Sequence, residues 1–307
     1  MPVPDTRVLR CDEAAIAEAA RLIREGQPVA VPTETVYGLA ADAINGEAVA
    51  RIYAAKGRPS FNPLIVHVPE LAAAQALGEF DEQALALAHD HWPGPLTLVV
   101  PSKGSSTIAP LVTAGLPTVA LRVPAHPAMQ ALLQATGKPL AAPSANASGR
   151  ISPTRAEHVL ASLGGRIPLI LDAGPTERGL ESTIIAATGG ELRLLRPGPI
   201  HISGMAATTR GIEAPGQLAS HYAPTKPLRL NAGEARTGEW LIGFGPIAGN
   251  STLSASGDLV EAAAKLFAAL HEADAQGPPR IAVSPVPSEG LGLTINDRLQ
   301  RAAAERE

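Results

Sequence analysis

Cysteine is nearly missing: Cys11 is the one thiol in 307 residues. An intramolecular disulfide and an all-cysteine metal site are therefore excluded. Aromatic residues make up 3% of the chain, so any core is built from Ala, Leu, Val and Ile. No apolar run reaches the roughly 20 residues of a membrane span. No charged start leads into an apolar stretch, so a cytoplasmic protein is the expectation. A net charge of −4 argues against a surface coated for bulk nucleic-acid binding, though not against a local basic pocket. Familiar phosphate and hydrolase signatures are also missing. There is no G-x-x-x-x-G-K-[ST], and Gly243-Phe244-Gly245 and Gly290-Leu291-Gly292 lack a third glycine placed for dinucleotide binding. H-E-x-x-H and G-x-S-x-G do not occur. His89 and His91 have no third ligand nearby and read as a helix end beside Trp92.

What is present is 45% apolar residues with 29 glycines and 29 prolines, which implies many defined turns between apolar runs rather than disorder. The stretch from Pro28 to Val68 organises the rest. Pro28–Val31 and Leu64–Val68 read as buried strands, and Glu47–Ala55 as a helix capped by Asn45. Further helices are expected over Asp12–Glu25, Glu70–Leu77, Asp81–His91, His126–Thr136 and Arg155–Leu163, the last capped by Thr154. Strands are expected over Pro95–Val100, Thr118–Val123, Pro139–Ala142, Pro168–Leu171, Ser182–Ala186 and Glu191–Leu195, with Lys103–Leu116 as loop. Met205–Lys226 loses apolar periodicity and reads as a linker. Beyond it, Glu239–Phe244, Asp258–Ala273, Arg280–Val283 and Leu293–Ala304 alternate strand and helix, the pattern of a small parallel α/β unit. The expected domains are 1–204, a linker and lid at 205–227, and 228–307.

Polar residues gather where loops meet these short strands. Thr33 and Thr35 follow one strand; Lys56, Arg58 and Asn62 precede another. Thr118 and Arg122 belong to a third, and Ser144, Asn146 and Ser152 follow a fourth. Glu181, Ser182 and Thr183 open a fifth, and Arg196 closes a sixth. Each has an ordinary explanation: Asn and Ser shape turns and cap helices, and Lys56 and Arg58 suit a helix C-terminus before a Gly-Pro stop. Their coincidence at the ends of strands is harder to dismiss, because ligands of α/β sheets collect there. Hydroxyls and cations without a triad fit phosphoryl or nucleotidyl transfer, which asks mainly for positioning and charge stabilisation.

These segments resemble, in order and spacing, the YrdC-type threonylcarbamoyl-AMP synthases. The resemblance rests on Pro32–Leu39, Lys56-Gly57-Arg58-Pro59 with Asn62-Pro63-Leu64, Trp92–Thr97, Ser144-Ala145-Asn146, Glu181-Ser182-Thr183 and Arg196-Pro197-Gly198. It spans roughly Arg7 to Ile202. Pro215-Gly216 and His221-Tyr222-Ala223-Pro224 resemble the linker of the longer, two-domain form. The resemblance implies a twisted mixed β-sheet around a basic cavity, plus a smaller, mainly parallel α/β domain. It implies that L-threonine, bicarbonate or CO2, and ATP give threonylcarbamoyl-AMP and pyrophosphate. That product is passed to the threonylcarbamoyl-transferase proteins that modify tRNA adenosine. Thr35, His67, Arg122, Ser182 and the Ala142 backbone are implied on the threonine side. Lys56, Arg58, Asn62, Thr118, Ser144, Asn146, Ser152, Arg196 and Tyr222 are implied on the ATP side. Lys56 and Arg58 would act with Mg2+, carried in by ATP, on the charge of the phosphates. His67 sits within a strand, where a satisfied core histidine is the ordinary case, and nothing in the sequence makes it a general base. Gln217–Ser220 carries no cation where related linkers often have one. Two other readings stand beside this one: a non-catalytic RNA-binding module using the same cavity, and a carbamoyl-adenylate enzyme of the hydrogenase-maturation kind.

Overall fold

The computed structural model describes residues 5–202, 205, 211–217 and 220–304. The first strand, β1 (Arg7–Arg10), leads to α1 (Glu13–Arg24), whose cap Asp12 accepts from the Ala15 N–H. A hairpin follows, β2 (Val29–Pro32) and β3 (Tyr37–Asp42). Asn45 then caps α2 (Gly46–Lys56), and Gly57, at φ 61°, ends it in the left-handed conformation. Next come β4 (Ile65–His67), α3 (Leu71–Leu77), α4 (Glu82–His91), β5 (Leu96–Pro101), α5 (Pro110–Thr113) and β6 (Thr118–Arg122). The unit closes with α6 (Pro127–Thr136), β7 (Leu140–Ala141), α7 (Ala156–Leu163), β8 (Leu169–Asp172), β9 (Thr183–Thr188) and β10 (Glu191–Arg196).

The strands form one ten-stranded mixed sheet in the order β1-β8-β2-β3-β7-β4-β6-β5-β9-β10. Successive strand residues face opposite sides, and the two sides are covered differently. One side carries Val66, Leu98, Val100, Val119 and Leu121 against α2, α3, α4, α5 and α7. On the other, α1 and α6 cover Val29, Val31, Leu140 and Leu169. Further along that second side lie Ile65, Val99, Ala120, Ile184, Ala186 and Leu195, and the residue packed on them is Ala214 of the interdomain segment. A depression is left where helices give way to that segment.

The second unit contains β11 (Leu228–Arg229), β12 (Glu239–Gly243), β13 (Ser251–Thr252), α8 (Leu259–Ala275), β14 (Arg280–Val283) and α9 (Leu291–Ala303). Its four strands run parallel in the order β11-β14-β12-β13. Its core is continuous with the first unit: Val36, Ile151, Leu180 and Tyr222 pack with Phe267, Leu266 and Ile295.

The mixed and parallel sheets match the expected fold class. Several local expectations need correction. The organising stretch is not strand-loop-helix-loop-strand, because Tyr37–Asp42 forms β3, and β3 and β7 separate β2 from β4. The exposed edge strand β1, the short helix α5 and the two-residue strands β11 and β13 were not anticipated. Thr154 does not cap α7; Arg155 holds that position without a side-chain bond, and the Thr154 hydroxyl lies 3.4 Å from His158 Nδ1. Part of the linker reading lies outside the described residues, namely 206–210 and 218–219, as does the boundary at 203–204.

Candidate active site

The depression holds a cavity of about 40 Å³, and its wall draws on each of the strand-end clusters named above. Thr33, Thr35, His67, Arg122 and Ala142 line one part; Arg58, Ser144, Glu181, Ser182 and Arg196 line the rest, with Pro215, Gly216, His221 and Tyr222 from the interdomain segment.

Arg122 closes β6 opposite His67 in parallel register. Its Nη2 donates to Glu34 Oε1 at 2.6 Å and to Thr35 Oγ1 at 3.1 Å, and its Nε to the Gly94 carbonyl at 3.2 Å. No described residue accepts from Nη1, so one edge of the guanidinium remains for a carboxylate. Burial pushes the Glu34 carboxyl up, but the Arg122 charge and hydrogen bond and a bond from the Ala125 N–H outweigh it, leaving its pKa lowered. Glu34 thus stays ionised and fixes Arg122 in place. Thr33 and Thr35 hydroxyls bond each other at 2.7 Å, which orders the loop after β2.

His67 is buried on β4, and burial, followed by the Arg122 charge, pushes its pKa down to about 3. It is a neutral imidazole at physiological pH, and its Nδ1 has no hydrogen-bond partner.

The other part of the wall is cationic. Arg58 leaves α2 just after the Gly57 turn; Nε and Nη2 donate to the Asn62 and Pro63 carbonyls at 3.1 and 2.8 Å. Burial pushes its pKa down to about 10, which keeps it charged. Arg196 donates to the Ser182 carbonyl from Nε at 3.1 Å and from Nη2 at 2.9 Å, and to Ser182 Oγ at 3.1 Å. Ser182 Oγ also meets Thr97 Oγ1 at 2.7 Å. The turn after β10 permits this approach only because residue 198 is glycine: a Cβ there would stand 2.3 Å from the Thr183 nitrogen.

Lys56 behaves differently from expectation. Its side chain is 2% exposed, and Nζ donates to the Ser144 and Asn146 carbonyls. Burial, then Arg58, holds its pKa well below the lysine range. It braces the Ser144-Ala145-Asn146 loop from beneath instead of lining the cavity. Asn62, Thr118, Asn146 and Ser152 likewise stand outside the lining set. Asn62 and Asn146 are buried with unpartnered Oδ1 atoms, Ser152 donates to Glu181, and Thr118 starts β6, away from Arg122. Unpartnered buried polar atoms are uncommon in native structures. Three of the nine such atoms among the described residues are on cavity-lining side chains, His67, His221 and Tyr222; two more are on Asn62 and Asn146, and the others, on Arg150, Thr176, Gln217 and Ser284, lie outside the lining.

Glu34, His221 and Arg298 were not singled out from sequence. Glu34 sits between the two threonines that were. Arg298 carries a weak signal: it is a charge on the buried face of α9, one turn from Thr294 and Ile295.

Among the described residues no group of three or more His, Cys, Asp or Glu side chains is placed to hold a metal ion. Glu34 and Glu181 are committed to Arg122 and to Arg298 and Ser152. No helix is long and apolar enough to cross a membrane, among the described residues.

A family model described as "Telomere recombination", covering Sua5, YciO and YrdC, matches residues 21–198, and the threonylcarbamoyl-AMP synthase C-terminal domain matches residues 185–304. The chain is 41% identical to the threonylcarbamoyl-AMP synthase of Bacillus subtilis, over 98% of this chain and 96% of that one. It is 38% identical to that of Pyrococcus abyssi, over 97% and 96%. The crystal structure of P. abyssi Sua5 complexed with L-threonine superposes with a TM-score of 0.87 at 37% identity, covering 97% of this chain and 96% of that one. E. coli YciO, at 21% identity and a TM-score of 0.54, shares the fold over 64% of this chain and 96% of its own. With both domains matched along nearly its whole length, the chain belongs to the threonylcarbamoyl-AMP synthase family in its two-domain, Sua5-like form.

Proposed function

We propose that the protein is an ATP-dependent nucleotidyltransferase of the cytoplasm that makes threonylcarbamoyl-AMP and pyrophosphate from L-threonine, bicarbonate or CO2, and ATP. The observation that carries the reading is the division of one cavity wall into two parts. A half-occupied guanidinium, Arg122, stands with Thr35, His67 and Ala142; the half-buried Arg58 and the buried Arg196 stand with Ser144, Ser182 and Tyr222. Threonine fits the first part, its carboxylate on the open edge of Arg122. The ATP phosphates fit the second, with Arg58 and Arg196 charged against them and Lys56 holding the Ser144–Asn146 loop. Thr118, Asn62, Asn146 and Ser152 complete the ATP side, with Ala142 offering its backbone to threonine.

The chemistry asks for two bonds. The threonine amine attacks CO2 carbon, loses a proton and becomes a carbamate. A carbamate oxygen then attacks the α-phosphorus, and the bond to the β-phosphate oxygen breaks, releasing pyrophosphate. His67, neutral, adds no positive charge beside Arg122 and leaves the threonine carboxylate to that arginine. Confinement in one cavity would hold amine, carbon and phosphorus together beside the fixed charges of Arg122, Arg58 and Arg196. Mg2+ would enter with ATP and neutralise part of the triphosphate charge beside Arg58 and Arg196. The product would be handed to tRNA threonylcarbamoyl-transferase proteins.

An RNA-binding module gains no support from this geometry, because Lys56, Arg122 and Arg196 are buried and not displayed as a surface. The test supplies ATP, L-threonine and bicarbonate and follows pyrophosphate and the adenylate. Threonine-dependent pyrophosphate is expected. Turnover that depends on carbamoyl phosphate instead, or none at all with salt-sensitive RNA binding, refutes the proposal.

A further inference from the structure

Among the contacts that the second domain makes beside the cavity, one is a fully buried cation. Arg298 lies on α9, is 0% exposed and is the largest fully buried side chain described. Its Nε donates to Glu181 Oε2 at 3.0 Å, and its Nη2 to the Pro197 carbonyl at 2.8 Å. Its guanidinium carbon stands 5.0 Å from the centre of the Tyr222 ring. Nη1 is held by Asp297, which also receives Arg301. These partners come from three separate segments: the loop into β9, the turn after β10, and the interdomain segment.

Each of those segments meets the cavity. Glu181 lines it and accepts from Ser152 Oγ with its other oxygen. Pro197 follows Arg196, and the next carbonyl, that of Gly198, accepts from Thr294 Oγ1 on α9 at 3.3 Å. Tyr222 lines the cavity at φ 62°, a backbone conformation that costs a tyrosine on the order of 1 kcal/mol or more. Packing over-determines it: Phe267 of α8 meets the ring at 5.5 Å, and His221 N–H donates to the Arg301 carbonyl at 3.2 Å. A buried guanidinium is tolerated only when its donors are matched, and its planar fork matches them in one orientation. Moving Glu181 or the Pro197 carbonyl leaves one buried N–H of the fork without its acceptor. The ring of Tyr222, the carboxylate of Glu181 and the turn carrying Arg196 are therefore set jointly.

We infer that Arg298 is a positioning residue for the ATP part of the site, and that the second domain serves the reaction by presenting it. Through Glu181, Pro197 and Tyr222 it fixes the interdomain segment over the cavity and the Arg196 turn beneath it. The threonine part, built from Arg122, Glu34, Thr35 and His67, has no contact with it. The inference rests on the nucleotide-binding reading of the cavity.

The test is Arg298→Lys, with Arg298→Met beside it, in the full-length protein. Lysine keeps the charge but has no planar fork to serve a carboxylate, a carbonyl and a ring together. Affinity for a non-hydrolysable ATP analogue is measured by calorimetry, and the KM for threonine and for ATP by pyrophosphate release. Arg298→Lys is expected to weaken analogue binding at least tenfold and to raise the ATP KM in parallel. Its threonine KM should stay within twofold. Asp297→Asn, which loosens Arg298 without touching the cavity, should show a smaller shift in the same direction. Wild-type analogue affinity in Arg298→Lys overturns the inference. So does an equal loss for both substrates, which marks general damage to the fold. If Arg298→Met does not fold, the lysine variant decides alone. Wild-type protein that binds the analogue but makes no threonylcarbamoyl-AMP refutes the proposed reaction and leaves the Arg298 result to stand or fall on affinity.

Discussion

Tyr222→Phe separates stability from function by sign. The Tyr222 ring is 1% exposed, and its Oη has no hydrogen-bond partner. Burial pushes its hydroxyl pKa up, with Arg298 opposing, so it is a neutral donor at physiological pH. A buried hydroxyl without a partner costs roughly 1–3 kcal/mol of desolvation. Removing the oxygen leaves the ring on Phe267 and under Arg298 and eliminates that penalty. In the free protein the variant should therefore be as stable as wild type or more stable by about 1 kcal/mol. If the hydroxyl donates to bound nucleotide, that bond is worth roughly 0.5–1.5 kcal/mol, and its loss weakens ATP by about two- to tenfold. Urea denaturation of the free protein and the KM for ATP are the two measurements. A variant less stable by about 1 kcal/mol with an unchanged ATP KM would show that the hydroxyl serves the fold, and the reasoning fails.

Arg58→Ala should lower turnover at saturating substrate by about 100-fold while leaving the urea midpoint nearly unchanged, since its hydrogen bonds go to neighbours on the same loop and helix, the Asn62 and Pro63 carbonyls and Tyr53; retained turnover removes Arg58 from the site. Gly198→Ala should lose activity and on the order of 1–3 kcal/mol of stability, because the new Cβ meets the Thr183 nitrogen at 2.3 Å; an active, stable variant shows that the turn can shift. Stability should fall with pH below about 6.5. Burial depresses His67 and His158 to about 3 and His271 to about 4, so the unfolded chain takes up protons that the folded one refuses. The stability present above pH 6.5 is lost as pH falls toward those values, by up to about 1.4 kcal/mol per unit per histidine. Urea midpoints measured from pH 8 to pH 5 check this, and a flat profile contradicts it.

The large mixed sheet and the small parallel one were both legible, because long apolar runs and helix caps such as Asp12 and Asn45 announce themselves locally. What escaped was set by neighbours distant in sequence. Tyr37–Asp42 is poor in β-branched residues, and small side chains serve there because a Cβ on Gly38 would stand 3.3 Å from Ala142. Arg7–Arg10 is a short, largely exposed edge that pairs with β8, so it has almost no pattern to read. The site residues were legible as a set and less so as roles. Lys56 sits in a motif that suggests phosphate contact, yet desolvation and two carbonyls claim its ammonium for the Ser144–Asn146 loop. Glu34 looked like part of a hydroxyl-rich loop, and only the fold shows Arg122 coming to meet it.

The division of labour between the domains follows from where the sheet is left uncovered. Helices α1 and α6 cover one half of that face and stop, and the polar residues at the ends of β4, β6 and β9 face the space beyond. A cavity that must exclude water during carbamate chemistry needs a cover, yet ATP must still enter. The described part of the interdomain segment supplies that cover, tied down by the Arg193–Glu213 ion pair and by the Ala223 N–H on the Gly149 carbonyl. Ala214 packs on the bare strands, while Tyr222 is gripped by Phe267 and Arg298. Gly216 passes so close that a Cβ would stand 2.7 Å from Tyr222 Oη and 2.9 Å from Arg196 Cδ. The anchors on α8 and α9 thus hold the described part of this segment, Pro215, Gly216 and Tyr222, in the cavity wall beside Arg196.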